Sequence, residues 1–292
     1  MPRPSLRISE SIALLLGAMG LMFGVLAMST ALVAARHSLS WQEASQIASG
    51  DPLTLGFAQL VGLMTFVVIG AARAHRAGPL REALHVLPTP WRSVALAALA
   101  GVCLQFPLAE LSAIMGELVP AIAPTEETER TLEAITRIDG PLRAFSVPFA
   151  FVIVAPLTEE LLFRGLLLGA LHPRLGSVGA LLLTALLFGV FHAAPLAMIY
   201  ASVAGLALGW VFVRTGSVLP GLAMHAACNA VGVLLPAELL PIPGFNTEAD
   251  HLPLALVIAA SAGLALTLAL IPAAPPPEEP PPQEPPPGPE AA

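Results

Sequence analysis

The chain of 292 residues contains no lysine: all thirteen of its basic positions are arginine. Charged residues of either sign make up only 11% of the sequence and form no basic stripe, which excludes nucleic acid as a partner. There are just three aspartates, Asp51, Asp139 and Asp250, and all lie outside the long apolar runs. An aspartyl dyad inside a membrane is therefore excluded. The two cysteines, Cys103 and Cys228, both fall in apolar runs, so they make neither a disulfide framework nor a thiolate metal site. They read as small buried hydrophobes. No GxSG turn offers a serine nucleophile, and no HExxH places paired histidines on one helix face.

Apolar residues are what the chain has in abundance. They account for 56% of it, and the mean hydropathy is +0.79. A water-soluble core cannot absorb that much apolar surface, so the natural solvent is a bilayer. At roughly 20 residues per span the apolar blocks allow about eight transmembrane helices in an all-α bundle. The expected spans are 11–35, 53–74, 92–119, 144–171, 177–194, 196–213, 217–236 and 252–272. The first follows Arg3 and Arg7 as a signal peptide would, but its apolar run is too long for one and reads as a retained anchor.

Arginine sets the expected orientation. Arg3 and Arg7 precede the first span. Arg73, Arg76, Arg81 and Arg92 separate the second from the third, Arg174 the fourth from the fifth, and Arg214 the sixth from the seventh. The alternate loops are poorer in arginine or richer in acid: Glu43 and Asp51; Glu126, Glu127, Glu129, Glu133 and Asp139; and Glu238, Glu248 and Asp250. Both termini are thus expected in the cytoplasm. Arg130, Arg137 and Arg143 cut against the pattern in the loop near 121–143. The Arg-only basic set and short loops suggest a bacterial inner-membrane protein. The 121–143 loop also predicts a short amphipathic helix lying on the membrane surface. Residues 273–292 form a Pro- and Glu-rich tail expected to be disordered. It holds Glu278, Glu279, Glu284 and Glu290 without a basic residue, so much of the net charge of −7 is local to it. The chain divides accordingly into N-terminal spans and loop (1–143), a central chemistry-bearing set (144–236), a last loop and span (237–272) and the tail.

Polar groups inside apolar spans carry the chemical information, because a mid-bilayer charge costs about 2.5–3.5 kcal/mol on insertion scales. The fourth span contains Glu159, Glu160 and Arg164. Glu160 and Arg164 stand i,i+4 and share a face, which predicts a supporting ion pair. Glu159 is turned about 100° from Glu160 and faces another neighbour. A carboxylate in an apolar cavity suits a general base. Pro156, just before the pair, predicts a kink that frees carbonyls near the site. The fifth span ends at His192. The seventh carries His225 and Asn229, again i,i+4. Together these residues offer a carboxylate and an imidazole to deprotonate water, and an imidazole and an amide to donate to an oxyanion. Gly165-xxx-Gly169 and Gly205-xxx-Gly209 offer close helix approaches.

The three groups read Glu159-Glu160-xxx-Arg164, Phe188-xxx-His192 and His225-xxx-Asn229. Over roughly 145–235 they resemble, in order, the EExxxR, FxxxH and HxxxN signatures of the CAAX-processing and bacteriocin-processing (Abi, Rce1-like) intramembrane proteases. The resemblance implies that Glu159, helped by His192, activates water, that His225 and Asn229 stabilise the oxyanion, and that Glu160 and Arg164 support the site. The family's chemistry has been described both as metal-dependent and as glutamate-dependent without metal. Zinc on Glu159, His192 and His225 stays open as the alternative, with water in the fourth position. The implied substrate is a membrane-embedded or lipidated peptide or protein. Two other readings use the same residues: a non-catalytic scaffold or immunity protein, and a proton-coupled transporter. The transporter reading draws on Glu110 and Glu117 in the third span.

Overall fold

The computed structural model describes residues 6–75, 79–237, 239–247 and 249–274. Arg3, Arg76, Glu238, Glu248, the four tail glutamates and the tail from residue 275 onward lie outside the described residues. Within them the fold is an all-α membrane bundle. Its helices are α1 (Ile8–His37), α2 (Trp41–Ser49), α3 (Pro52–His75), α4 (Leu80–Ala83), α5 (Trp91–Leu118) and α6 (Glu126–Thr136). A long continuous run follows, made of α7 (Pro141–Pro148), a π-helical segment (Phe149–Val154), α8 (Ala155–Glu160), a second π-helical segment (Leu161–Leu168) and α9 (Gly169–Phe191). The chain closes with α10 (Pro195–Thr215), α11 (Val218–Leu234) and α12 (Leu254–Leu270).

Five of these helices are long and apolar enough to cross a membrane, counting Pro141–Phe191 as one, rather than the eight expected. The difference has two physical sources. The Pro141–Phe191 run holds 51 residues, twice a span, and is broken at Gly176 (φ 69°, ψ 175°), between the fourth and fifth expected spans. Helices α11 and α12 have 17 residues each, about 25 Å of helix against the roughly 30 Å of a hydrocarbon core. Large apolar side chains face outward at helical spacing, as Val178, Leu182 and Leu186 do on α9 and Leu254 and Ile258 do on α12. That is the polarity of a protein solvated by lipid.

Local signals set the boundaries. Ser40 and Glu43 form a reciprocal capping box at the start of α2. Asp51 Oδ2 accepts from the Thr54 amide (2.9 Å) and hydroxyl (2.8 Å) at the start of α3. The expected surface helix is α6, capped by Thr125 and tied to α2 by Gln46 donating to Glu127 at 3.2 Å. Arg143 reaches back to the carbonyls of Ala134 and Gly50, which holds this polar layer together.

Packing groups the rods around the long run. Helices α1 and α3 share a core with the second π segment and α9, through Leu14, Leu63, Val67, Leu162 and Phe188. Helices α5, α10 and α11 share another, with Ala100, Leu104, Leu208 and Met224. The α5–α11 crossing is close: a Cβ on Gly101 would fall 2.0 Å from the Met224 carbonyl oxygen. The two glycine pairs singled out in the sequence sit at close approaches too, Gly165 against Leu84 and Gly205 against Ala185.

The loop between α11 and α12 is pinned to α5. His251 Nδ1 lies 2.9 Å from Glu110 Oε1 and Nε2 lies 3.1 Å from Glu117 Oε1, while the Leu252 amide donates to Glu110 Oε2 at 2.9 Å. Glu110 and Glu117 are therefore paired at the end of the bundle with this loop. Desolvation pulls the His251 pKa down, but the charges and hydrogen bonds of Glu117 and Glu110 outweigh it and leave it raised.

Two outcomes follow from this packing. Gly101→Ala must push α5 and α11 apart, a cost of about 1–3 kcal/mol read as a lower thermal midpoint in detergent. Because the folded pKa of His251 is raised, its stabilisation is complete below about pH 6.5 and is lost as pH rises through the folded value. The midpoint difference between wild type and His251→Gln should therefore be larger at pH 6 than at pH 9.

Candidate active site

The local backbone around Glu159 and Glu160 is unusual for a chemical reason. Pro148 and Pro156 both sit in the long run and neither has an N–H to give the helical ladder. Between them the chain takes a π register, rare in proteins and often found at functional sites. The Ala155 amide bonds the Ala150 carbonyl, five residues back. In that register the next residue, Pro156, would address the Phe151 carbonyl and cannot. Asn229 Nδ2 supplies the missing donor, 2.8 Å from Phe151 O. The freed carbonyl expected near Pro156 thus anchors α11 to the long run. It also occupies one of the two Asn229 amide hydrogens.

The carboxylates lie in the interior. Glu159 is 5% exposed, Glu160 1% and Arg164 2%. Arg164 Nη1 donates to Glu160 Oε1 at 2.8 Å and Nη2 to the Gly205 carbonyl at 3.2 Å, which links this turn to α10. The guanidinium also lies 4.5 Å from the centre of the Phe188 ring. His225 Nδ1 is 3.0 Å from the same Glu160 Oε1. Since a carboxylate only accepts, Nδ1 carries the proton of that contact. Room for the Glu160 carboxylate comes from Gly221, where a Cβ would sit 3.0 Å from Oε2.

Glu159 faces elsewhere, as its helical phase requires. Its Oε1 accepts from Gln59 Nε2 of α3 at 2.6 Å. Its Oε2 is buried without a hydrogen-bond partner and lies 3.8 Å from His225 Nε2. With His225 Nδ1 protonated toward Glu160, a neutral ring presents the Nε2 lone pair to the Oε2 lone pair. Two acceptors this close suit a shared donor such as water, which has two hydrogens to give and would bridge them from beside the pair.

His192 stands at the C-terminal end of α9, half-buried. Its Nδ1 is 2.8 Å from the Phe188 carbonyl and must donate to it, which leaves Nε2 as the acceptor of a neutral ring. The Phe188 side chain is edge-on to His192 (4.9 Å) and to His225 (5.8 Å). The phenylalanine of Phe188-xxx-His192 is thus the apolar spacer between the two imidazoles and the arginine.

The structure joins Glu159, Glu160, Arg164 and His225 through direct contacts and puts His192 and Asn229 on flanking helices. His225, not His192, makes the imidazole contact with Glu159. Among the described residues no three His, Cys, Asp or Glu side chains are gathered as a metal-binding group, so the zinc alternative on Glu159, His192 and His225 finds no preformed cluster. Gln59 is the polar neighbour that sequence reasoning missed. Its signal was an amide alone in the apolar middle of α3, the same anomaly that marked Glu159.

Comparison with known proteins converges on the same segment. Residues 141–231 match the family model described as type II CAAX prenyl endopeptidase, Rce1-like. Glu159, Glu160, Arg164, His192, His225 and Asn229 all fall inside it; Gln59 does not. The human protein CAAX prenyl protease 2 is 31% identical over 100 residues, covering 27% of this chain and 30% of that protein. The chain therefore spans less than a third of that relative's length in the match. No solved structure matches the chain.

The buried ion pair sets an expectation of its own. Arg164→Met strips Glu160 of its cation in an apolar interior, a cost of about 3–5 kcal/mol for a broken buried pair. The thermal midpoint in detergent should fall sharply, and Glu160→Gln in the same chain should restore part of it.

Proposed function

We propose that the chain is an intramembrane endopeptidase, with Glu159 as the base that activates water. The observation that carries this reading is the buried, unpartnered Glu159 Oε2 facing His225 Nε2 across 3.8 Å. Glu160 Oε2 is partnerless too, but that carboxylate is held by Arg164 and His225, whereas Glu159 has only the neutral Gln59 amide, so its open oxygen is the one that calls for a ligand. Water placed there would lose a proton to Glu159 as its oxygen attacks the scissile carbonyl carbon. The carbonyl π electrons move to oxygen and form a tetrahedral oxyanion. When the oxyanion collapses, the C–N bond breaks and the proton passes to the leaving amine.

The remaining roles follow from donor capacity. The second Asn229 Nδ2 hydrogen remains for the oxyanion. His225 can donate there only when Nε2 is protonated as well as Nδ1. His192, with Nε2 as its acceptor, assists deprotonation from the flanking helix. Glu160 and Arg164 hold the turn and the His225 ring in place. The Rce1-like match favours a prenylated or membrane-embedded peptide as substrate. The arginine pattern favours cytoplasmic termini in a bacterial inner membrane, with Arg81, Arg92, Arg174 and Arg214 on the cytoplasmic side.

The experiment uses purified full-length protein in detergent or liposomes and a fluorogenic farnesylated peptide ending in a CAAX sequence. Glu159→Gln, nearly isosteric, should lower kcat by about 10²–10⁴-fold, the range for loss of a general base, with the thermal midpoint retained. Undiminished cleavage by that variant would remove Glu159 from the reaction. Comparing membrane proteomes of cells carrying wild type and Glu159→Gln would identify the natural substrate as the peptide that accumulates uncut.

A further inference from the structure

We infer that Gln59 is a positioning residue of the hydrolytic site: its amide holds Glu159 Oε1 and leaves Oε2 as the oxygen that takes the proton from water. The inference rests on the reading of Glu159 as the base and extends the site to a helix outside the matched segment 141–231.

The geometry is specific. Gln59 Nε2 lies 2.6 Å from Glu159 Oε1, between residues 100 positions apart in the chain. Only the amide nitrogen can serve, since its carbonyl oxygen would confront a carboxylate with a second acceptor. Two close approaches fix the register of α3 beside the long run. A Cβ on Gly56 would sit 3.2 Å from Ala150 Cβ, and one on Gly70 would sit 2.6 Å from Leu166 Cδ1. Gln59 lies between these points, one turn beyond Gly56, so its reach to Glu159 is set by helix packing and not by a free side chain.

The chemistry explains why an amide stands here. A carboxylate in an apolar interior rotates about its last bond and presents either oxygen unless one is held. Holding Oε1 removes that freedom and aims Oε2 at His225. A neutral donor does this without placing a second cation beside the carboxylate. Arg164, by contrast, carries a full charge and is directed to Glu160, the carboxylate that the reaction does not use.

The test uses Gln59→Met, similar in length without a donor, and Gln59→Asn, which keeps the amide but withdraws it by one methylene. Both are assayed as full-length protein with the farnesylated CAAX peptide. Each should lower kcat by about 10- to 100-fold, the usual loss when the partner orienting a reactive ligand is removed, with KM changed little. A loss confined to kcat, with KM kept, is what simple repacking of the substrate site would not cause. Wild-type kcat in either folded variant would overturn the assignment. Thermal midpoints give a readout free of activity: Gln59→Met should lower the midpoint in the wild-type background and much less in Glu159→Leu, where no carboxylate needs the donor. Equal losses in both backgrounds would also overturn it. If Glu159→Gln cleaves normally while this coupling persists, the base assignment fails and the contact stands; if Glu159→Gln is inactive while Gln59→Met is unaffected, the positioning role alone fails.

Discussion

Two carboxylates on successive residues, buried among apolar side chains with a single arginine, are the constraint on which the rest of the site depends. An uncompensated charge in such an interior is costly. Three separate helices are drawn in to meet the demand. Arg164 neutralises Glu160 and reaches on to α10 through Gly205 O. His225 brings α11 to Glu160, and Gln59 brings α3 to Glu159. Two carboxylate oxygens are left without a partner, Glu160 Oε2 beside Gly221 and Glu159 Oε2 facing the histidine. The electrostatics that hold the bundle together thus also set the surroundings of the candidate base.

Backbone irregularity supports this arrangement. A regular α-helix through residues 148–168 would satisfy its own carbonyls and give α11 nothing to bond. The prolines at 148 and 156 prevent that, and the π register between them leaves Phe151 O to Asn229. Asn229 is consequently both a fold contact and a candidate donor to the oxyanion. The Phe188 ring performs a comparable double duty, since it packs on Phe163 in the core while it separates His192 from His225. Residues that serve folding and chemistry together leave little room for substitution at either task.

Much of this was legible along the chain. Composition and apolar runs pointed to an all-α membrane bundle, and glutamates, histidines and an arginine inside apolar spans marked the site, because such groups are rare where they are costly. The i,i+4 spacing was enough to put Arg164 on the Glu160 face. The span count was less legible: hydropathy measures how apolar a stretch is, but not where a 51-residue run breaks or that α11 stops at 17 residues. The break depends on one left-handed glycine, Gly176, among several glycines in apolar runs.

Sequence by itself determined which helices carry ionisable groups and which of those groups share a helical face, because helix periodicity is a local property. Only the tertiary structure decided which imidazole meets Glu159 and that Gln59 from α3 completes the carboxylate's surroundings. Those outcomes rest on how α3, α9 and α11 are phased about the long run. Their phase is set by side chains far apart in the chain, Gly56 on Ala150 and Gly101 on Met224, whose pairing no local pattern encodes.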